Sequence, residues 1–274
     1  MTELVRVARG IWRPAEQVST LAGRIAALLE ACPEGTVVAG VTAARLHGLW
    51  LPARRDELIE VIVHPQQPDL TARTYNRRPG LRARRQTLPP DEVTVVDGIP
   101  VTTEARTWFD LAALLAPPDL IAAGDSALRG DATIQEMELI LTRSRHRRGV
   151  VRARGSLPLL DKRSRSRPES HLRFALISNR LPAPEVNEPI FDEHGQWLAE
   201  PDLSYEDVRL ALEYNGAEHA DVLRMHRDIS REIDVEWRGG WRLVVVGPAQ
   251  VFGRPDQIAS YVRHLRRERG PVTR

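Results

Sequence analysis

Glu200-Pro201-Asp202 and, a few residues on, Val208-Arg209-Leu210-Ala211-Leu212-Glu213-Tyr214-Asn215-Gly216 decide how the last part of this chain is read. In the second stretch the apolar set 208, 210, 212 and 214 alternates with 209, 211 and 213, which is the period of a strand. Glu213 therefore faces away from Leu212 and Tyr214. Across 197–203, Glu200 and Asp202 share one face. If the two strands pair antiparallel through a turn at 204–207, Asp202 and Glu213 point into one pocket. An ionised carboxylate inside an apolar run is costly without a partner, and a metal ion is the obvious one. Oxygen ligands of this kind suit Mg²⁺ or Mn²⁺, with water and phosphate completing the shell. A surface hairpin with ordinary charges fits the same short pattern equally well.

The flanking segments read as follows. Ser166 to Arg180 is a helix: Ser166 suits the N-cap, Pro168 the first turn, and Leu172, Ala175 and Leu176 form an apolar stripe, with Glu169 in the first turn. Val186 to Phe191 and Trp197 to Leu203 form a hairpin turning at Asp192-Glu193-His194-Gly195. His219 to Trp237 is a charged helix with Val222, Met225, Ile229 and Ile233 on one side. Trp241 to Val246 is a buried strand, and Asp256 to Arg267 a closing helix. The order is helix, three strands, helix, strand, helix.

Residues 166–269 resemble the PD-(D/E)xK nuclease superfamily, in its subgroup similar to the very-short-patch-repair (Vsr) endonuclease. The matching residues are Glu169, Pro201-Asp202, Glu213-Tyr214-Asn215-Gly216, His219, Arg227-Asp228 with Arg231, and Gly240-Trp241. The resemblance implies a restriction-endonuclease-like αβββαβα core on a mixed sheet. It implies a Mg²⁺ or Mn²⁺ ion held by Asp202 and Glu213, with Asp202, Glu213, Asn215, His219 and Glu169 as the catalytic set. One position departs: Asn215 stands where related nucleases have Lys or Asp. Lys162 is the only lysine in the chain, so no catalytic lysine follows Glu213. Asn donates a hydrogen bond but lacks the charge that a lysine offers a transition state. His219 is open to two readings, a ligand or acid/base group and a surface histidine near a helix start. Asp228 and Arg231 equally suit an exposed ion pair on one helix face.

The first half resembles the AbiEi-type antitoxin and transcriptional-regulator family of bacterial abortive-infection systems, over roughly residues 1–140. The residues that carry this are Val38 to Leu49, the strand Leu58 to Val63, Gly98 to Thr103, and Ala105 to Leu111. Family members open with a DNA-binding winged helix. Here residues 1–15 resemble only the wing that ends that module, so its DNA reading is not carried over. Arg106 and Asp110, four apart on a helix, suit a structural salt bridge. His47 before Gly48 suits a helix C-terminus.

The fold class expected overall is α/β, with an α+β domain over 1–142, a basic linker over 143–167 and a nuclease-like domain over 168–274. A chain of 274 residues that is 42% hydrophobic can bury two ordinary cores. No apolar run reaches a membrane span and no secretory signal opens the chain, so a cytoplasmic location is expected. The single Cys32 excludes an internal disulfide and a cysteine zinc cluster. Near-total use of Arg over Lys fits a GC-rich coding bias of an actinobacterial kind.

The net charge of +2 conceals an asymmetry. Residues 143–167 hold ten basic groups against Asp161 alone. Arg147, Arg148, Arg152, Arg154, Arg163, Arg165 and Arg167 suit phosphate tracking, because Arg makes bidentate phosphate contacts. A solvated linker would carry the same charge. Three functions remain in view. One is a divalent-metal-dependent endonuclease acting on DNA, with RNA not excluded, in phage defence, toxin–antitoxin control or repair. The second is a catalytically degenerate DNA-binding regulator. The third is an antitoxin that binds a neighbour-encoded toxin protein.

Overall fold

The computed structural model describes residues 3–8, 11–53, 58–66, 80–192, 194–216 and 234–271. The chain divides into two compact units, Met1–Pro158 and Leu159–Arg274. Both are mixed α/β structures. Among the described residues no helix is long and apolar enough to cross a membrane.

The first unit opens with a two-stranded antiparallel hairpin, β1 (Leu4–Ala8) and β2 (Ile11–Pro14). Helix α1 (Leu21–Leu29) follows, its N-cap Thr20 accepting the Gly23 N–H. A five-stranded sheet then runs in the order β5-β4-β3-β7-β6. Its strands are β3 (Val37–Val38), β4 (Ile59–Val63), β5 (Leu81–Arg85), β6 (Val93–Val96) and β7 (Ile99–Thr102). Pairs β3–β7 and β4–β5 are parallel, β3–β4 and β6–β7 antiparallel. Helix α2 (Gly40–Leu46) ends at the expected C-cap, His47, whose Nε2 lies 2.7 Å from the Thr102 carbonyl. Ile25, Leu28, Val38, Val61, Val63, Ala83 and Val101 join α1 and the sheet in one core.

Among the described residues four further helices belong to this unit: α3 (Glu104–Leu111), α4 (Pro117–Arg129), α5 (Ile134–Arg143) and α6 (Val150–Ser156). Proline in the first turn starts α4, where a missing N–H costs nothing, and a Thr133–Glu136 capping box starts α5. Trp108, Phe109, Leu111, Leu120, Ile121 and Met137 are fully buried.

Part of the stretch expected as a linker, 143–167, is ordered as helix. Residues 150–156 are helical and belong to the first unit, and the division falls between Pro158 and Leu159.

The second unit begins with α7 (Arg167–Ser178), capped by Ser166 as its sequence requires. Its main sheet is four-stranded, in the order β13-β12-β11-β8. The strands are β8 (Glu185–Val186), β11 (Leu203–Tyr205), β12 (Leu210–Tyr214) and β13 (Arg242–Val246). β8, β11 and β12 pair antiparallel in succession, and β13 lies parallel to β12. A separate hairpin, β9 (Ile190–Phe191) with β10 (Trp197–Ala199), sits between β8 and β11 in sequence. The expected single strand from Trp197 to Leu203 is therefore broken at Glu200-Pro201-Asp202, where Pro201 lacks the N–H a continuous ladder needs. Helix α8 (Pro255–Arg269) closes the unit.

The two faces of this sheet are unlike. Leu203, Tyr205, Leu210, Leu212, Val244 and Val246 pack with Leu172 and Leu176 of α7 and with Ile258, Val262 and Leu265 of α8. On the other face Ala211 and Leu243 are covered by Ile190, Leu198 and Ala199 of the hairpin, together with Val235 and Trp241.

Candidate functional site

The Asp202–Glu213 pair follows from strand register. Leu203 opposes Leu212 and Ser204 opposes Ala211, so the next step back along β11 sets Asp202 opposite Glu213. Directly opposed residues share a face of the pleat. That face is the one carrying Ala211 and Leu243. The hairpin covers its lower part, whereas Val245, the partner of Glu213 on β13, is 54% exposed. Both carboxylates are half-buried. They lie where an apolar sheet face meets its open end.

Asp202 is held from two sides. Its Oδ2 accepts the Tyr214 N–H at 2.6 Å, and its carbonyl accepts the Asn187 N–H at 3.0 Å. Asn187 has a left-handed backbone, φ 49°, which Asn tolerates better than most residues. Its amide donates to Glu169 Oε2 and to the Arg163 carbonyl, each at 2.8 Å. Glu169 is itself buried, and the same Oε2 accepts the Arg165 N–H at 2.8 Å. Glu169 thus reaches Asp202 through Asn187 and also ties the chain entering α7. Sequence reading missed Asn187; an Asn before Glu188-Pro189 at a strand end is the signal that could have found it.

Asn215 is exposed at the end of β12, and its N–H donates to the Val246 carbonyl at 2.9 Å. His219, Arg227, Asp228 and Arg231 lie outside the described residues. Among the described residues no group of three His, Cys, Asp or Glu side chains is arranged to hold a metal. The donors that register brings together are two carboxylates. Among the described residues that set falls short of the three or four protein ligands that zinc takes. It fits Mg²⁺, which keeps several waters and is bound through one or two carboxylates plus phosphate oxygens.

Most of the basic stretch has protein partners. Arg152 donates to the carbonyls of Ala112 (3.0 Å) and Leu115 (2.6 Å), and Arg154 to that of Leu141 (3.4 Å). Half-buried Arg147 bonds the Gln86 amide oxygen. Arg163 pairs with Asp161 and Glu188, both at 2.8 Å, and with Glu185 at 3.4 Å. Those carboxylates raise the Arg163 pKa above its ordinary value. Burial pushes the Asp161 carboxyl up, but the Arg163 hydrogen bonds outweigh it and leave the pKa lowered. Arg165 pairs with Glu200, and the Arg167 guanidinium lies 4.9 Å from the centre of the Phe252 ring. Arg148 is exposed and has no hydrogen-bond or ion-pair partner among the described residues.

In the first unit Arg106, 1% exposed, is the hub of an ion network. It reaches Glu92 at 2.5 Å and Asp110 at 3.1 Å, and Asp110 also takes Arg84. The i, i+4 pair expected from sequence is present, and a buried guanidinium of this kind requires both carboxylates.

Residues 36–159 match the AbiEi antitoxin C-terminal domain family. Two proteins of Mycobacterium tuberculosis, "Uncharacterized protein MT2308" of strain CDC 1551 / Oshkosh and "Uncharacterized protein Rv2248" of strain H37Rv, are each 34% identical over 275 residues. Each match takes in 97% of this chain and 94% of the relative. The chain belongs to their family. No solved structure matches it. The family match runs to Leu159 and the first unit to Pro158, so α6 and its arginines lie within the matched region. The comparisons do not extend to the Vsr-like resemblance of the second unit.

Proposed function

We propose that this AbiEi antitoxin-like protein is a divalent-metal-dependent nuclease whose site is the open end of the second unit's sheet. The observation that carries the reading is the register that sets Asp202 opposite Glu213 on a half-exposed face. The sheet order β8-β11-β12-β13, with its last pair parallel and helices α7 and α8 on one face, supports the same reading. Asp202 and Glu213 would hold Mg²⁺ or Mn²⁺. The ion, when bound, would polarise a phosphodiester and lower the pKa of a bound water.

The chain's own residues prepare that chemistry. The Tyr214 N–H fixes the Asp202 carboxylate. Glu169 and Asn187 fix the backbone that carries it. Asn215 offers an amide at the strand end in place of a charged lysine. The test is cleavage of duplex, nicked and single-stranded DNA, and of RNA, by the full chain with Mg²⁺ or Mn²⁺. Cleavage that chelation stops and that Asp202→Asn abolishes is the expected result. No cleavage of any substrate with either metal removes the proposal.

The family match over 36–159 favours a second reading, a nucleic-acid-binding regulator or an antitoxin that binds a toxin protein without cleaving anything. Salt-sensitive DNA binding without cleavage would select the regulator. Binding of a neighbour-encoded protein with no DNA affinity would select the antitoxin.

A further inference from the structure

A cavity of about 270 Å³ opens in the first unit beside β4, β5 and α3. Four arginines line it, Arg82, Arg84, Arg147 and Arg148, against two carboxylates, Glu60 and Asp110. Those carboxylates are already engaged. Asp110 spans two cations, taking Arg106 on one oxygen and Arg84 on the other. Glu60 takes Arg82 at 3.3 Å and the Val41 N–H at 3.4 Å. Two guanidiniums are left without a carboxylate of their own. Arg147 bonds only a neutral acceptor, the Gln86 oxygen, which it shares with Arg106. Burial, with Arg106 and Arg84 close by, holds the Arg147 pKa below the ordinary arginine value, although Asp110 and Glu92 at longer range oppose it. Arg148 stands exposed beside it without a partner among the described residues.

The lining therefore carries two positive charges beyond its carboxylates, one of them on a half-buried group. Burying a cation this way is unfavourable unless a counter-charge arrives. Guanidinium forks match the oxygens of phosphate bidentately, and a phosphomonoester carries close to two negative charges at neutral pH. The rest of the wall is apolar, from Ala113 and the exposed Leu114 over the buried Val61 and Phe109. Such a wall suits an organic remainder rather than a bare ion.

We propose that this cavity binds a small phosphomonoester of nucleoside-monophosphate size, its phosphate held by Arg147 and Arg148 and its organic part against Ala113 and Leu114. The site lies in the AbiEi antitoxin-like domain and does not depend on the nuclease reading of the second unit.

Titration calorimetry on the full chain tests it, with adenosine 5′-monophosphate, inorganic phosphate and adenosine as probes. The monophosphate should bind one per chain, inorganic phosphate more weakly, and adenosine not at all. Arg147→Gln should weaken monophosphate binding at least tenfold and Arg148→Ala several-fold. Arg145→Ala removes the same charge from an exposed residue outside the lining, so it should leave affinity within twofold. If Arg147→Gln does not fold, the exposed Arg148→Ala carries the test. Adenosine binding as tightly as the monophosphate, unchanged affinity in Arg148→Ala, an equal loss in Arg145→Ala, or no heat from either phosphate at several millimolar would overturn the proposal.

Discussion

Asp202 has two separable duties, and two substitutions split them. The first is structural: Oδ2 accepts the Tyr214 N–H at 2.6 Å. A hydrogen bond to an ionised acceptor contributes roughly 1.5–3 kcal/mol, and its loss leaves the amide of a half-buried strand residue unpaired. Asp202→Ala should therefore cost the second unit about 2 kcal/mol. For a unit of this size roughly 4 °C accompanies each kcal/mol, so its unfolding midpoint should fall by about 8 °C. Asp202→Asn keeps a carbonyl oxygen for Tyr214 and should stay within about 1 kcal/mol of wild type. The second duty is to hold a cation. A ligand at a hundred times its dissociation constant stabilises by about 2.7 kcal/mol, which predicts a metal-dependent rise of roughly 10 °C in wild type. Asn lacks the charge, so the Asn variant should lose that rise while keeping the metal-free midpoint. The assay is thermal unfolding with and without excess Mg²⁺ or Mn²⁺, scored beside cleavage. An Asn variant that keeps the full metal-dependent rise would refute the assignment of Asp202 as a ligand. An Ala variant as stable as wild type would refute the structural duty.

Further predictions follow from the same geometry. If Asn215 is a weakened catalytic position, Asn215→Lys should raise metal-dependent cleavage above wild type; lower activity would mean that an added cation is not tolerated there. Arg152→Ala should unfold the first unit at lower denaturant, by roughly 1–3 kcal/mol, because it uncaps the Ala112 and Leu115 carbonyls, and should leave the salt slope of any DNA binding unchanged. Gly149→Ala should destabilise that unit by about 2 kcal/mol or more in the same assay, since φ is +90° and a Cβ would stand 2.6 Å from the Ala113 nitrogen. Burial raises the Glu104 pKa, although backbone N–H groups of Asp131 and Ala132 and the nearby His47 oppose it. Its stabilising contribution is thus complete below the ordinary carboxyl pKa and is lost as pH rises through the raised value. Glu104→Gln should make the first unit's midpoint flatter across that mildly acidic window in a pH series of unfolding curves.

Much of the second unit was legible from the chain. Ser166 and Pro168 announced α7, period-two alternation announced β12 with Glu213 turned from the core, and the run before Gly247-Pro248 announced β13. What misled was continuity: 197–203 alternates well enough for one strand, yet Pro201 breaks the ladder and hands the chain from the hairpin to the main sheet. Local pattern carries no record of which sheet a strand joins.

The Arg106–Asp110 pair was readable because four residues make one helical turn. Its enclosure by Glu92, Gln86 and Arg84 was not, because those groups come from distant parts of the chain. The basic stretch shows the limit most clearly. Counted along the sequence, 143–167 is ten cations against one carboxylate. Counted in space, Glu185, Glu188 and Glu200 stand against Arg163 and Arg165, and Arg152 and Arg154 are turned onto backbone carbonyls. Sequence alone determined residue type, period and caps, since these act over a turn or a strand. Tertiary structure decided which charges are neutralised and which, like Arg147 and Arg148, are left beside a cavity, because Coulomb partners are set by distance in space and not by separation along the chain.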